Sequence, residues 1–190
     1  MNRDFFNSLL GEVFAEAFKE ADARISERHY SAIGRVAASW AYFEAVIDTM
    51  TARLMDVPAE IGVCVTSQIA GTRRLDAFIA LARFRGAKAK WNDKLELIAK
   101  QAVRLGERRN RALRDVWDLS TPEEPLRLEA TARRKLRLMS IPVPAQELLG
   151  LVKDLYDMSW EFNEIAVQSS TKLIQSLMVR KRRKVAMDVV

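Results

Sequence analysis

Four arginines fall within the seven residues from Arg108 to Arg114, in the run Glu107-Arg108-Arg109-Asn110-Arg111-Ala112-Leu113-Arg114-Asp115-Val116-Trp117. Guanidiniums are permanently charged planar forks that bind phosphate or carboxylate bidentately, so the chemistry open to this run is anion binding. On a helix, Arg104, Arg108, Arg111 and Asp115 stand at i, i+4, i+7 and i+11 and share one face. Leu105, Ala112, Leu113 and Val116 project elsewhere and are expected to face a core. Asn110 sits among the charges where a stronger helix former would be the default, and its amide can orient the guanidiniums or reach a ligand. The same spacing also describes a solvated helix face tied down by Glu107 and Asp115. Two readings follow: an anion site on Arg108, Arg109, Asn110, Arg111 and Arg114, or a structural salt-bridge network.

Other chemistry has little to draw on. Cys64 is the sole cysteine and His29 the sole histidine, which excludes an internal disulfide and leaves a zinc site almost without ligands. Cys64 is expected to be a buried, inert thiol, and His29 a surface residue. No Gly-rich phosphate loop is present, so neither a cofactor nor a metal is expected. Positive charge recurs instead. Arg133-Arg134-Lys135, flanked by Arg127 and Arg137, and the run Arg180-Lys181-Arg182-Arg183-Lys184 form a secondary basic surface or solvated decoration. The formal net charge is +6, and residues 171–190 alone carry +5 whereas residues 1–30 carry −2, so an acidic partner suits the C-terminal part.

Arg109-Asn110, three residues, then Arg114 resembles the RNA-cleaving signature of HEPN domains: an arginine, a polar residue that is often Asn, and a histidine about a turn later. The setting is similar too, with the signature closing one long helix and another long amphipathic helix following. The upstream phrase Gly34-Arg35-Val36-Ala37-Ala38-Ser39-Trp40-Ala41-Tyr42-Phe43-Glu44 resembles the first core helix of HEPN-like proteins, and the resemblance covers residues 27 to 170. It implies a helical bundle, RNA as partner, and a homodimer in which two copies of the signature face each other. Arg109, Asn110 and Arg114 would line a phosphate-sized cleft. Arg114, however, stands where the family has its catalytic histidine. Histidine exchanges a proton near neutral pH; arginine stays protonated and cannot be the base that removes a 2′-hydroxyl proton. The resemblance therefore implies phosphate binding with weak or no ribonuclease activity, and the catalytic residue is left unassigned. The alternative is a catalytically dead helical interaction or dimerisation module, made for a protein partner, whose arginines are structural.

The elements that must position these residues read as helices. Residues 4–24 carry Phe5, Phe6, Leu9, Leu10, Val13, Phe14 and Phe18 on one stripe, which suits a core or dimer seam. A longer helix runs from Ser26 to about residue 55, with Tyr30, Val36, Trp40, Phe43, Ile47 and Leu54 at helical spacing. Glu44 lies close to that stripe and calls for a cation, an arginine from 108 to 114 being the natural candidate. Pro58 suits the first turn of a short helix or irregular segment. Gly71-Thr72 caps a helix that Gly86 ends, and Asn92 caps the helix leading into the arginines. Thr121-Pro122 is expected to stop it. Leu126–Thr131 and Lys135–Ile141 alternate as a hairpin, and Pro142 and Pro144 precede a last helix over 145–180. Its core face is expected to carry Leu148, Leu149, Val152, Leu155, Tyr156, Trp160, Phe162 and Ile165.

The apolar share of 49% against 29% charged, with seven glycines and five prolines, points to a folded and mainly helical chain. The expected fold is all-α: an up-and-down, HEPN-like bundle over 27–180 with a small inserted hairpin at 126–141, an N-terminal amphipathic helix over 1–26 and a basic tail over 181–190. No apolar run approaches membrane-spanning length and no secretion signal opens the chain, so a cytoplasmic location without membrane contact is expected.

Overall fold

Helical spacing of Val36, Trp40, Phe43, Ile47 and Leu54 becomes α1, Glu27–Met55, whose buried stripe contains all five. The computed structural model describes residues 27–69, 71–118, 125–131 and 137–187, the last helix from residue 170 onward as backbone only. The expected N-terminal helix, the Thr121-Pro122 stop, and the tip with Arg133 and Arg134 lie outside the described residues, as do the side chains of Arg180 to Lys184. Asp56 ends α1 at φ 62°, a left-handed conformation that Asp tolerates better than most residues. Pro58 then stands at the N-cap of α2, Ala59–Thr66. Gly62 and Thr66 are the buried residues of α2, whereas Ile61, Val63, Cys64 and Val65 are exposed. The expected buried thiol at Cys64 is thus exposed.

Gly71, at φ 54°, makes the bend into α3, Arg73–Phe84. Thr72 holds the N-cap position without a side-chain cap bond; the clamp is ionic instead. Arg74 Nη1 donates to Asp48 Oδ2 of α1 at 2.8 Å, and its Nε donates to the Ile69 carbonyl at 2.6 Å. Gly86, at φ 87°, ends α3 in a Schellman arrangement: Ala87 N–H reaches the Ala82 carbonyl and Gly86 N–H that of Arg83, both at 2.9 Å. α4 spans Ala89–Arg114 and starts one turn before the expected cap, because Asn92 bonds backward to the Ala87 carbonyl instead of serving as N-cap.

α4 also stops earlier than the Thr121-Pro122 pair suggests. Asp115 turns extended, and Val116–Asp118 forms β1, paired antiparallel to β2, Leu126–Thr131. Trp117 Nε1 donates to the Ala112 carbonyl at 3.2 Å, capping the helix it leaves. β3, Arg137–Pro142, completes a three-stranded sheet in the order β1-β2-β3. The expected hairpin is therefore present and one strand larger. α5, Ala145–Met187, runs through the basic segment to Met187.

α1 is the hub of the bundle and packs against α2, α3, α4 and α5. At its centre four rings meet edge to face: Trp40 on Phe43 at 5.7 Å, Phe43 on Phe162 at 5.8 Å, and Phe78 on Phe162 at 5.1 Å between centroids. α5 buries Leu148, Leu151, Val152, Leu155, Met158, Phe162, Ile165 and Ala166. Tyr156 and Trp160, expected in that stripe, stand on the outer side, with Trp160 65% exposed. The fold is all-α with a small antiparallel sheet inserted.

α2 and α1 approach closely at Gly62, where an added Cβ would overlap Ala52 Cβ and fall 3.0 Å from its Cα. Gly62→Ala should therefore force α2 off α1 and cost about 1–3 kcal/mol, despite the better helix propensity of alanine. Urea unfolding should show a lower midpoint with an unchanged slope; an unaltered midpoint would contradict this packing.

Candidate functional site

Gly106 is the residue that lets a cleft form. It lies on α4 above the Trp40 indole, and an added Cβ would stand 3.0 Å from Trp40 Cη2. With no side chain there, α4 approaches α1 closely enough to hold Trp40 at 5% exposure. The indole Nε1 donates to Glu44 Oε1 at 3.0 Å, one turn along the same helix. Arg109, one turn along from Gly106, lays its guanidinium over the same ring, with Cζ 5.9 Å from the centroid. That cation–π contact is worth about 0.5–2 kcal/mol depending on desolvation. Arg109 Nη1 also donates to Asn110 Oδ1 at 2.9 Å, so the asparagine does orient a guanidinium.

Around this pair opens a cleft of about 380 Å³. α1 contributes Trp40 and Glu44, the start of α3 contributes Gly71, Thr72 and Arg73, and α4 contributes Val103, Gly106, Glu107, Arg109, Asn110 and Arg114. Three guanidiniums thus face two carboxylates, and the N-terminal end of α3, with its partial positive charge, opens on the same space. Arg73, Glu107, Asn110 and Arg114 are exposed, while Glu44 and Arg109 are half-buried. Arg109 Nε is buried without a hydrogen-bond partner among the described residues.

The structure divides the five residues singled out by sequence. Arg109, Asn110 and Arg114 converge on the cleft. Arg108 points away and pairs with Asp154 of α5 at 2.9 Å. Arg111 pairs with Glu129 of β2, which with Arg127 and Asp115 completes a four-residue ion network, Arg127 lying 3.4 Å from Asp115 and 3.7 Å from Glu129. Arg127, expected on an outer cationic face, is thereby turned inward and docks the sheet on the end of α4. Leu105 and Ala112 are buried as expected, whereas Val116 is exposed. Among the described residues Glu44 has no arginine partner: its bond comes from Trp40, one turn away on the same helix.

Sequence reasoning missed Arg73. Gly71-Thr72 marked a helix start, but nothing in the spacing says which other helix that start will face. His29 is half-buried on α1 and does not line the cleft. Lys153 and Asp157 pair at 2.6 Å on the exposed face of α5, and the carboxylate hydrogen bond raises the lysine above its ordinary value. Among the described residues no group of three His, Cys, Asp or Glu is placed to hold a metal ion, and no helix is long and apolar enough to cross a membrane. Comparison of the chain with family models, curated proteins and solved structures finds no match.

The division of labour is measurable. Glu129→Ala strands two part-buried guanidiniums and should lower stability by about 2 kcal/mol or more, whereas Arg114→Ala should change it by under about 0.5 kcal/mol. Denaturant titration of both variants checks this, and equal losses would place Arg114 in a structural network.

Proposed function

We propose that this chain is a cytoplasmic, HEPN-like, RNA-associated protein that grips the phosphate backbone in the cleft between α1, α3 and α4. One observation carries the reading: Arg109, Asn110 and Arg114 share that cleft, and neither arginine is tied up in an ion pair among the described residues, although Arg108 and Arg111 are. Arg109 is held over Trp40, so its guanidinium is ordered before any ligand arrives and loses less freedom on binding. Arg114 and Arg73 supply further forks for phosphate oxygens. Because Arg114 occupies the position of the family's histidine, ribonuclease activity is weak or absent. The competing reading, a dead interaction module, draws support only from Arg108 and Arg111, whose pairs tie α4 to α5 and to the sheet.

Self-association belongs to the same proposal. Gly34, Ala38, Ala41 and Ala45 are exposed along one side of α1 and offer a smooth strip on which a second copy's helix fits. Tyr42 and Tyr156, 6.3 Å apart, and Trp160 border it with apolar surface. Sedimentation at micromolar concentration should give a dimer, and Ala41→Glu should return it to monomer. A wild type that stays monomeric removes this part.

Binding should be read with single-stranded RNA across a salt series. Affinity should fall steeply, with a log–log slope of about −0.7 per phosphate neutralised. Arg109→Ala and Arg114→Ala should weaken binding to all sequences alike and flatten the slope; Arg108→Ala should change it far less. Salt-insensitive binding, or a loss confined to one sequence, contradicts backbone recognition.

A further inference from the structure

The cleft holds a carboxylate that phosphate binding alone does not call for. We propose that Glu44 is the catalytic proton acceptor of this cleft, and that the protein slowly cleaves single-stranded RNA through its own ribose 2′-hydroxyl. The inference rests on the RNA-binding reading above and adds the base that Arg114 cannot supply.

Three features distinguish Glu44. Its Oε1 is fixed by the indole N–H of a buried tryptophan, a donor that cannot swing away. The same ring carries the Arg109 guanidinium on its face, so base and phosphate-binding cation are both positioned from one rigid group. Among the described residues Glu44 makes no ion pair, and its side-chain hydrogen bond is the one from Trp40. Glu107, the other acid in the cleft, is exposed and lacks such an anchor.

The step balances without a further reactant. With a phosphodiester on Arg109 and Arg114, Glu44 takes the 2′-hydroxyl proton as the 2′-oxygen bonds to phosphorus. The bond from phosphorus to the 5′-oxygen breaks, and that oxygen takes a proton from water. Products are a 2′,3′-cyclic phosphate and a free 5′-hydroxyl, and Glu44 returns its proton to solvent. The arginines stabilise the negative charge that builds on the phosphoryl oxygens. A carboxylate is a weaker base than imidazole near neutral pH, which makes this slow cleavage.

Glu44→Gln is the decisive variant, because the amide oxygen still accepts the Trp40 bond while the base is gone. Oligouridine and a mixed-sequence single-stranded RNA are each incubated with wild type and variant in chelator, with all-deoxy strands of the same sequences and Arg109→Ala as controls. Wild type should yield fragments ending in 2′,3′-cyclic phosphate from RNA only, and Glu44→Gln should lower the rate about a hundredfold or more. RNA affinity of Glu44→Gln should equal or exceed that of wild type, since a negative charge has left the cleft. RNA bound but left intact by wild type, or cleaved equally by Glu44→Gln, overturns the inference and leaves the binding reading standing. RNA that does not bind at all overturns the binding reading and this inference with it.

Discussion

Burial of one indole governs the layout of this protein. Trp40 can pass beneath α4 only because position 106 has no side chain, with Trp40 Cη2 already 3.0 Å from where a Cβ would be. A larger residue there would lift α4 from α1 and expose one of the largest apolar surfaces in the core. The consequences run in both directions from the ring. Inward, Trp40 continues into Phe43, Phe162 and Phe78, so three helices are registered on one chain of edge-to-face contacts. Outward, its N–H and its face organise Glu44 and Arg109. Core and cleft are two sides of the same packing event.

The arginines of α4 show how a helix distributes one residue type among different tasks. Arg108 reaches Asp154 on α5 and Arg111 reaches Glu129 on the sheet, while Arg109 and Arg114, the last residue of α4, line the cleft. The Arg108–Asp154 pair is close to half exposed on both sides and contributes little beyond orientation. The network around Glu129 is different, since Arg127 and Glu129 are about seven-eighths buried. A three-stranded sheet this small cannot stand alone, and alternating charges that match the end of α4 hold it in place. Two arginines are thereby paired with two carboxylates, so the network adds no net charge to an outer cationic surface.

Much of this was legible in the chain. The stripe of α1, the glycines flanking α3, the alternation of β2 and β3 and the prolines before α5 are local signals, and they gave elements within a few residues of those observed. What failed was long-range. Trp160 and Tyr156 fit the periodicity of α5, but so do Leu151 and Met158, and only the direction from which α1 approaches decides which pair is buried. Cys64 was expected in the core because a lone free cysteine is usually buried, yet in α2 the buried residues are Gly62 and Thr66. Val116 and Trp117 continue a helical pattern, yet pairing with Arg127 and Leu128 takes them into a strand. Arg73 joined the cleft through tertiary placement alone.

Glu44 is where the two levels of argument meet. A buried indole N–H needs an acceptor, and a glutamate one turn along the same helix provides it with minimal ordering of other groups. That need accounts for one oxygen. A glutamine would meet it equally well, without placing a negative charge half-buried beside the arginines of the cleft. The charge must therefore be explained separately from the hydrogen bond. A structural ion pair would explain it, but among the described residues Arg109 makes none with Glu44 and lies instead against Asn110 and the face of Trp40. What remains is a carboxylate anchored through one oxygen, in a cleft of arginines, with no ion pair among the described residues. Its position follows from the tryptophan; the proposed proton transfer gives a reason for its charge.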